Sequence, residues 1–363
     1  MRDGVLVCVA CATRYAVLDW VARLVDPGQR NEAERSLLAQ EAGATAIVPL
    51  EDPGPEGRRA AIEEKVRAKI FGAGVPGVGA AHAEQDCEYR VRHTENKSKF
   101  VRTAAPLVQG HVATVVDVGG GQGGTLSAFR EAFRPAHAFL VDLDAGWLEV
   151  ARLRDPATEV LRGDATRLPF PDQSVDLLVT TATLEHIPDW RAALREFCRV
   201  ARQGLVCYGP NGSFPFDFGH VGAPFVTWLP KPAAARVAAA YHRLRGTGRT
   251  LATVREQLSF TFYIPRALAV RELERAGARA TPVFREFLEQ TVRDDYHFQG
   301  GRLLRTLRAH PRLRQAFGGV LTALGMEPNV YLFFQAPQRP HPGGGEAAAA
   351  PAGAPAAAAP DRP

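Results

Sequence analysis

Long apolar runs are missing from this 363-residue chain. No stretch reaches the roughly 20 apolar residues that span a bilayer, which excludes a helical membrane span. An export leader is missing too: Arg2 is followed by an acid, and the short apolar run Val5–Ala12 is broken by two cysteines. A cytoplasmic protein is therefore expected. Cysteine is scarce. The five present, Cys8, Cys11, Cys87, Cys198 and Cys207, are odd in number and widely spread, so a disulfide framework is not expected. Blocks of like charge are also lacking. The net charge of +5 comes from basic residues interleaved with acids, a pattern that argues against a nucleic-acid stripe and leaves a small-molecule partner as the expectation.

Regular alternation of elements fills the centre. Val112–Val118 is a continuous apolar run ending in glycines, the mark of a parallel strand buried on both faces. Further strands are expected at Ala138–Val141, Glu159–Leu161, Val175–Thr180 and Leu205–Tyr208, with helices at Thr125–Phe133, Trp147–Arg154 and Trp190–Ala201. This order implies an α/β, Rossmann-like doubly wound sheet with helices on both faces. Beyond Pro210 the pattern loosens into a stretch rich in aromatics and prolines, with a helix at Ala233–Leu244. A helix at Pro265–Ala276, a strand around Thr281–Phe287 and a closing strand at Asn329–Gln335 follow. The organisation reads as a small unit at 1–30, a helical segment and linker at 31–84, a domain at 85–336 with an insertion at 212–264, and an Ala/Pro/Gly tail at 337–363. That tail has too little apolar surface to offset the entropy of ordering.

The glycine run Val118-Gly119-Gly120-Gly121-Gln122-Gly123-Gly124 carries the chemistry. Glycines after a strand let backbone amides approach a ligand closely, because no Cβ intervenes. The run fits G-x-G-x-x-G, which by itself suits either a dinucleotide or another nucleoside cofactor. Asp117 lies inside the strand just before it, and a pyrophosphate would be repelled by a carboxylate there. A sulfonium cofactor with a free amino group would not.

Four segments in order resemble the class I S-adenosylmethionine-dependent methyltransferases: VVDVGGGQGG (115–124), FLVDLDAGWLEVAR (139–152), LRGDATRLPFPDQSVDLLVTTATLEHIPD (161–189) and RVARQGLVCYGPN (199–211). The resemblance implies a seven-stranded sheet with helical insertions after its fifth and sixth strands, and S-adenosylmethionine (SAM) as cofactor. It implies that Gly119, Gly121 and Gly123 form the loop under the cofactor, with Asp117 near its amino-acid end. Asp142 would accept the ribose hydroxyls and Leu143 would pack near the adenine. Asp164, helped by the Ala165 amide, would meet the adenine amine. Thr180 and Thr181 would border the methionine carboxylate and the methyl. Other readings stay open: Asp142 and Asp144 suit the cap of a helix beginning near Ala145, and Asp164 suits a turn ahead of Pro169.

Three residues are candidates for work on the acceptor. His186 follows the fourth strand, at the carboxyl edge where ligands bind in such sheets, and it equally suits a histidine that holds its own loop. Asp217 and His220 open the aromatic-rich insertion. The cluster Phe214, Phe216, Phe218, Phe225, Trp228, Phe260, Phe262 and Tyr263 suggests a wall for a small or lipid-like acceptor. An RNA methyltransferase and a non-catalytic SAM-binding partner remain alternatives. Against RNA stands Thr180-Thr181-Ala182-Thr183, where amino-methylating nucleic-acid enzymes often carry Asn-Pro-Pro-aromatic. Finally, Cys8-Val9-Ala10-Cys11 resembles half of a zinc ribbon that accompanies some methyltransferases. Structural zinc needs four ligands and this region offers two, so no metal is expected there.

Overall fold

The computed structural model describes residues 4–7, 14–18, 21–24, 54–73, 84, 87–88, 90–91, 98–293 and 302–335. The first elements are strands β1 (Gly4–Val7), β2 (Arg14–Leu18) and β3 (Val21–Leu24), then helices α1 (Gly54–Ala68) and α2 (Ser98–Ala104). The alternating region runs β4 (Thr114–Val118), α3 (Gly124–Phe133), β5 (His137–Asp142), α4 (Ala145–Arg154), β6 (Glu159–Gly163), β7 (Val175–Thr181), α5 (Trp190–Val200) and β8 (Ala201–Pro210). After it come α6 (Lys231–Arg245), α7 (Leu251–Ser259), α8 (Arg266–Arg275), β9 (Arg279–Pro282), α9 (Phe284–Arg293), α10 (Arg302–Ala309), α11 (Pro311–Leu324) and β10 (Asn329–Gln335).

One sheet holds every strand, in the order β1-β2-β3-β6-β5-β4-β7-β8-β10-β9. Strands β4 to β8 pair in parallel, and β10 runs antiparallel to both neighbours. The seven strands from β6 to β9 are the doubly wound sheet expected from the sequence, and helical stretches follow β8 and β9 as expected. The described strands of residues 1–30 extend this sheet: β3 pairs parallel to β6 with Ala22 opposite Leu161, and β2 and β1 add antiparallel. Cys8 and Cys11, the residues 31–53 and the tail 337–363 lie outside the described residues. No described helix is long and apolar enough to cross a membrane.

The strand expected around Thr281–Phe287 ends at Pro282, and α9 starts at Phe284. Buried Val283, Phe284 and Phe287 fall at helical rather than alternating spacing.

Burial explains the central elements. Every residue of β7 is buried, as a strand covered on both faces must be. Its one charge, Asp176, accepts the Ala113 and Thr114 amides at 2.8 and 3.0 Å and pairs with Arg202. Helix α5 buries Trp190, Ala193, Leu194, Phe197 and Cys198 along one face, and Asp189 caps it by accepting the Ala192 amide at 3.0 Å. The insertion has its own small core of Val221, Val226, Ala234, Ala235, Ala238, Val254 and Leu258. Asn211 fastens its base. Its Nδ2 donates to the Gly325 and Glu327 carbonyls, both at 2.9 Å, and its Oδ1 accepts the Ser213 and Arg266 amides at 3.0 and 3.1 Å.

Candidate active site

Strands β4, β5, β6 and β7 all deliver their following loops to the carboxyl edge of the sheet. Gly119, the first residue past β4, has φ +72°, and a Cβ there would run into the Thr183 side chain. Thr183 in turn donates its Oγ1 hydrogen to the Gly119 carbonyl at 2.9 Å. The loops after β4 and β7 are thereby locked together with backbone alone at the contact. Asp117 is fully buried beneath them and accepts the Leu126 amide in the first turn of α3 at 3.1 Å, where a negative charge suits the helix N-terminus.

These loops surround a cleft of about 530 Å³, within the usual range for small-molecule sites. Val118 and Gly119 form its floor, Asp142 and Leu143 one side, Asp164, Ala165 and Thr166 another, and Ala182, Thr183 and His186 to Asp189 the third. Three carboxylates, Asp142, Asp164 and Asp189, stand on this wall, with no lysine or arginine among its residues.

Asp142 accepts the Gly121 amide on Oδ2 at 3.0 Å and the Asp144 amide on Oδ1 at 2.8 Å. Burial pushes its carboxyl above the ordinary value, while those two amides pull it down. The cap of α4 is Asp144, which accepts the Gly146 and Trp147 amides and pairs with Lys69 at 2.5 Å. Asp164 makes a tight turn by accepting both the Thr166 amide, at 2.8 Å, and the Thr166 hydroxyl, at 2.7 Å. Leu143 is half exposed on the rim.

Other residues named from the sequence lie outside this wall. Asp117 sits below the floor. Gly121 and Gly123 both hold positive φ, and Gly123 caps α3. Thr180 is fully buried, and the Thr181 hydroxyl bonds Thr125 at 2.9 Å.

A second group of polar side chains adjoins the cleft through His186. His186 Nδ1 lies 3.1 Å from the Phe260 carbonyl, 74 residues on, so it ties the segment after β7 to the insertion and not to its own loop. Its Nε2 lies 3.4 Å from Nε2 of His220 in the insertion. His220 Nε2 is also 3.7 Å from Glu185 Oε1, and its Nδ1 is 3.6 Å from Asp217 Oδ1. Asp217 is buried behind His220 and accepts the amides of Gly219, His220, Val221 and Gly222, which fixes the turn that carries the histidine. Burial lowers His186. Burial also lowers His220, but Asp217 and Glu185 outweigh it and hold His220 above its ordinary value.

Glu185 and Thr183 were missed in the sequence. Glu185 is 2% exposed, and neither carboxylate oxygen has a hydrogen-bond partner among the described residues. Burial pushes it up to about 7. Its place beside His186 in Leu184-Glu185-His186 was the only signal. Its burial comes from β8 and the insertion: a Cβ at Gly209 would lie 3.2 Å from Oε2, and the Phe262 amide donates to its carbonyl at 2.7 Å.

Residues 116–208 match the model of a methyltransferase domain. Over 94 residues the chain is 36% identical to 2-methyl-6-phytyl-1,4-hydroquinone methyltransferase 2 of Oryza sativa subsp. japonica, covering 25% of this chain and 27% of that one. It is 39% identical over 99 residues to malonyl-[acyl-carrier protein] O-methyltransferase of Yersinia pestis, covering 27% and 36%. A geranyl diphosphate methyltransferase solved in complex with SAM is similar at 14% identity and a TM-score of 0.40, over 75% of this chain and 95% of that one. The chain spans only about a quarter to a third of the length of the first two relatives.

Proposed function

We propose that this chain is a SAM-dependent methyltransferase acting on a small metabolite or lipid-like acceptor. The observation that carries it is the charge of the cleft: three carboxylates and no lysine or arginine among the described residues of its wall. A sulfonium with a free ammonium group is stabilised in such a field, and a pyrophosphate is repelled. Gly119 lines the cleft with bare backbone, which leaves room for a ligand to approach closely.

When bound, SAM supplies an electrophilic methyl on sulfur. The residues of the chain align it. Asp142 keeps acceptor capacity on both oxygens for the ribose hydroxyls, beside its two amide donors. Asp164 and the Ala165 amide take the adenine edge, with Leu143 on its face. Gly119 forms the floor, while Gly121 and Gly123 shape the loop around it. Asp117, Thr180 and Thr181 act from beneath, by holding α3 and the end of β7. Proximity and orientation account for most of the rate in such a displacement. His186 and His220 serve the acceptor side, where a histidine can take or hold a proton, and Asp217 acts from behind by fixing the turn that carries His220. The exposed rings of Phe218, Phe225 and Trp228 offer the apolar surface that a lipid-like acceptor would meet. The 2-methyl-6-phytyl-1,4-hydroquinone named for one relative is in keeping with a lipid-like acceptor.

Calorimetry with SAM, S-adenosylhomocysteine and NAD tests the cofactor. Binding of NAD without SAM overturns the proposal. Methyl-labelled SAM with small-molecule, lipid and RNA fractions of a cell extract then locates the acceptor. Label in RNA alone would replace the acceptor class, and binding without any transfer would leave a SAM-binding partner protein.

A further inference from the structure

Two ring nitrogens and a carboxylate oxygen converge where the segment after β7 meets the insertion. The Phe260 carbonyl can only accept, so His186 Nδ1, 3.1 Å from it, carries that ring's hydrogen. Asp217 Oδ1 faces His220 Nδ1 at 3.6 Å, beyond hydrogen-bond reach, and its negative charge favours the hydrogen on that nitrogen. Each neutral ring then presents a bare Nε2, and the two nitrogens point at one another across 3.4 Å. Glu185 adds a buried carboxylate with no hydrogen-bond partner among the described residues, 3.7 Å from His220 Nε2. Either a proton on one of the rings or a metal cation can occupy the space between them.

We propose that Glu185, His186 and His220 form a binding site for a divalent transition-metal ion of the zinc class. The three ligand atoms lie within 4.8 Å of one another. Ligands at about 2.1 Å from a tetrahedral ion stand about 3.4 Å apart, which is the spacing of the two histidine nitrogens. Two imidazoles and one carboxylate suit zinc, cobalt or ferrous iron rather than magnesium or calcium. The outer contacts fit as well. Metal-bound histidines give their second ring N–H to a carbonyl or carboxylate; here the Phe260 carbonyl accepts from His186, and the Asp217 carboxylate faces His220 Nδ1 at 3.6 Å. Three ligands leave a fourth tetrahedral position free, and His186 lines the cleft, so the site adjoins it.

The site rests on side-chain geometry alone. Its role rests on the methyl-transfer reading: the ion selects an oxygen acceptor such as a phenol or enol. That hydroxyl gives its proton to water, and its lone pair forms the new bond to the methyl carbon as the bond to sulfur breaks.

The test uses the full chain carrying Cys8→Ser and Cys11→Ser, which removes the N-terminal thiols as competing ligands. After chelator treatment the protein is titrated with zinc and cobalt. One ion per chain is expected, with cobalt giving a d–d band and no thiolate charge-transfer band. Glu185→Gln and His220→Ala should each weaken the ion at least about 100-fold, with the affinity for S-adenosylhomocysteine unchanged. In the cobalt form, proton NMR should show shifted, exchangeable N–H signals from two histidines, a reading that needs no ligand substitution. Failure to bind either ion, a thiolate band, equal binding by all variants, or fewer than two shifted N–H signals overturns the site. Ion binding without S-adenosylhomocysteine binding would sink the methyl-transfer reading and leave the site standing.

Discussion

His186 and His220 are 34 residues apart in sequence, yet their Nε2 atoms lie 3.4 Å apart. That contact joins the cleft at the sheet edge to the insertion. His220→Ala is expected to cut turnover by at least about 100-fold, the scale of a lost acid–base or ion-holding group. Cofactor affinity should stay the same. Single-turnover kinetics with the acceptor, beside calorimetry, checks both halves.

Asp142→Asn should weaken S-adenosylhomocysteine by about 10-fold or more, since a hydrogen bond to a charged group contributes about 1.5–3 kcal/mol. The melting temperature should move little, because the Asn carbonyl can still accept one of the two amides. Affinity within twofold of the parent would place the cofactor elsewhere.

Gly119→Ala combines two costs. The left-handed backbone costs about 1–2 kcal/mol for a residue with a Cβ, and the collision with Thr183 adds about 1–3 kcal/mol of overpacking. Adding Thr183→Ala should restore the second part and not the first. Urea unfolding of the four-member cycle reads this directly, and equal stability of the single and double variants would show that the two loops do not touch.

Asn211→Ala should cost about 2–4 kcal/mol, because four backbone groups, some of them buried, lose a partner at once. Phe197→Ala, in the face that α5 lays on the sheet, should cost about 3–5 kcal/mol. Proteolysis should separate the two. The Asn211 variant should open first at the base of the insertion, and the Phe197 variant should unfold globally.

Asp176 supplies a pH dependence. Burial raises its carboxyl, but Arg202, Gln203 and the Ala113 and Thr114 amides outweigh that and leave it below the ordinary 3.8. A depressed folded value stabilises fully above the unfolded one, so the contribution is present above 3.8 and is lost as pH falls through the lower folded value. Wild type should therefore be more stable than Asp176→Asn at neutral pH, and the gap should close below pH 3.8. A constant gap in acid titrations would show that the charge is not what matters.

The sequence by itself determined the alternation of strands and helices, the floor glycine and the wall carboxylates Asp142 and Asp164. Each of those signals is local: an apolar run, a glycine after a strand, an acid at a strand end. The strand around Thr281–Phe287 was misread for the same reason, since three clustered apolar residues suit either period until packing selects one. Assignment of the cap to Asp144 and of the loop to Asp142 also needed coordinates, because both side chains can reach either set of amides. What only the tertiary structure decided was the company of His186. Glu185 looks like a surface acid beside it in sequence, and its burial is created by Gly209 on β8 and by Phe262 in the insertion. His220 is brought opposite by a turn that Asp217 fixes from within. Burial and side-chain direction are properties of the assembled fold, and they brought His220 to the neighbouring pair Glu185 and His186, 34 positions from the nearer.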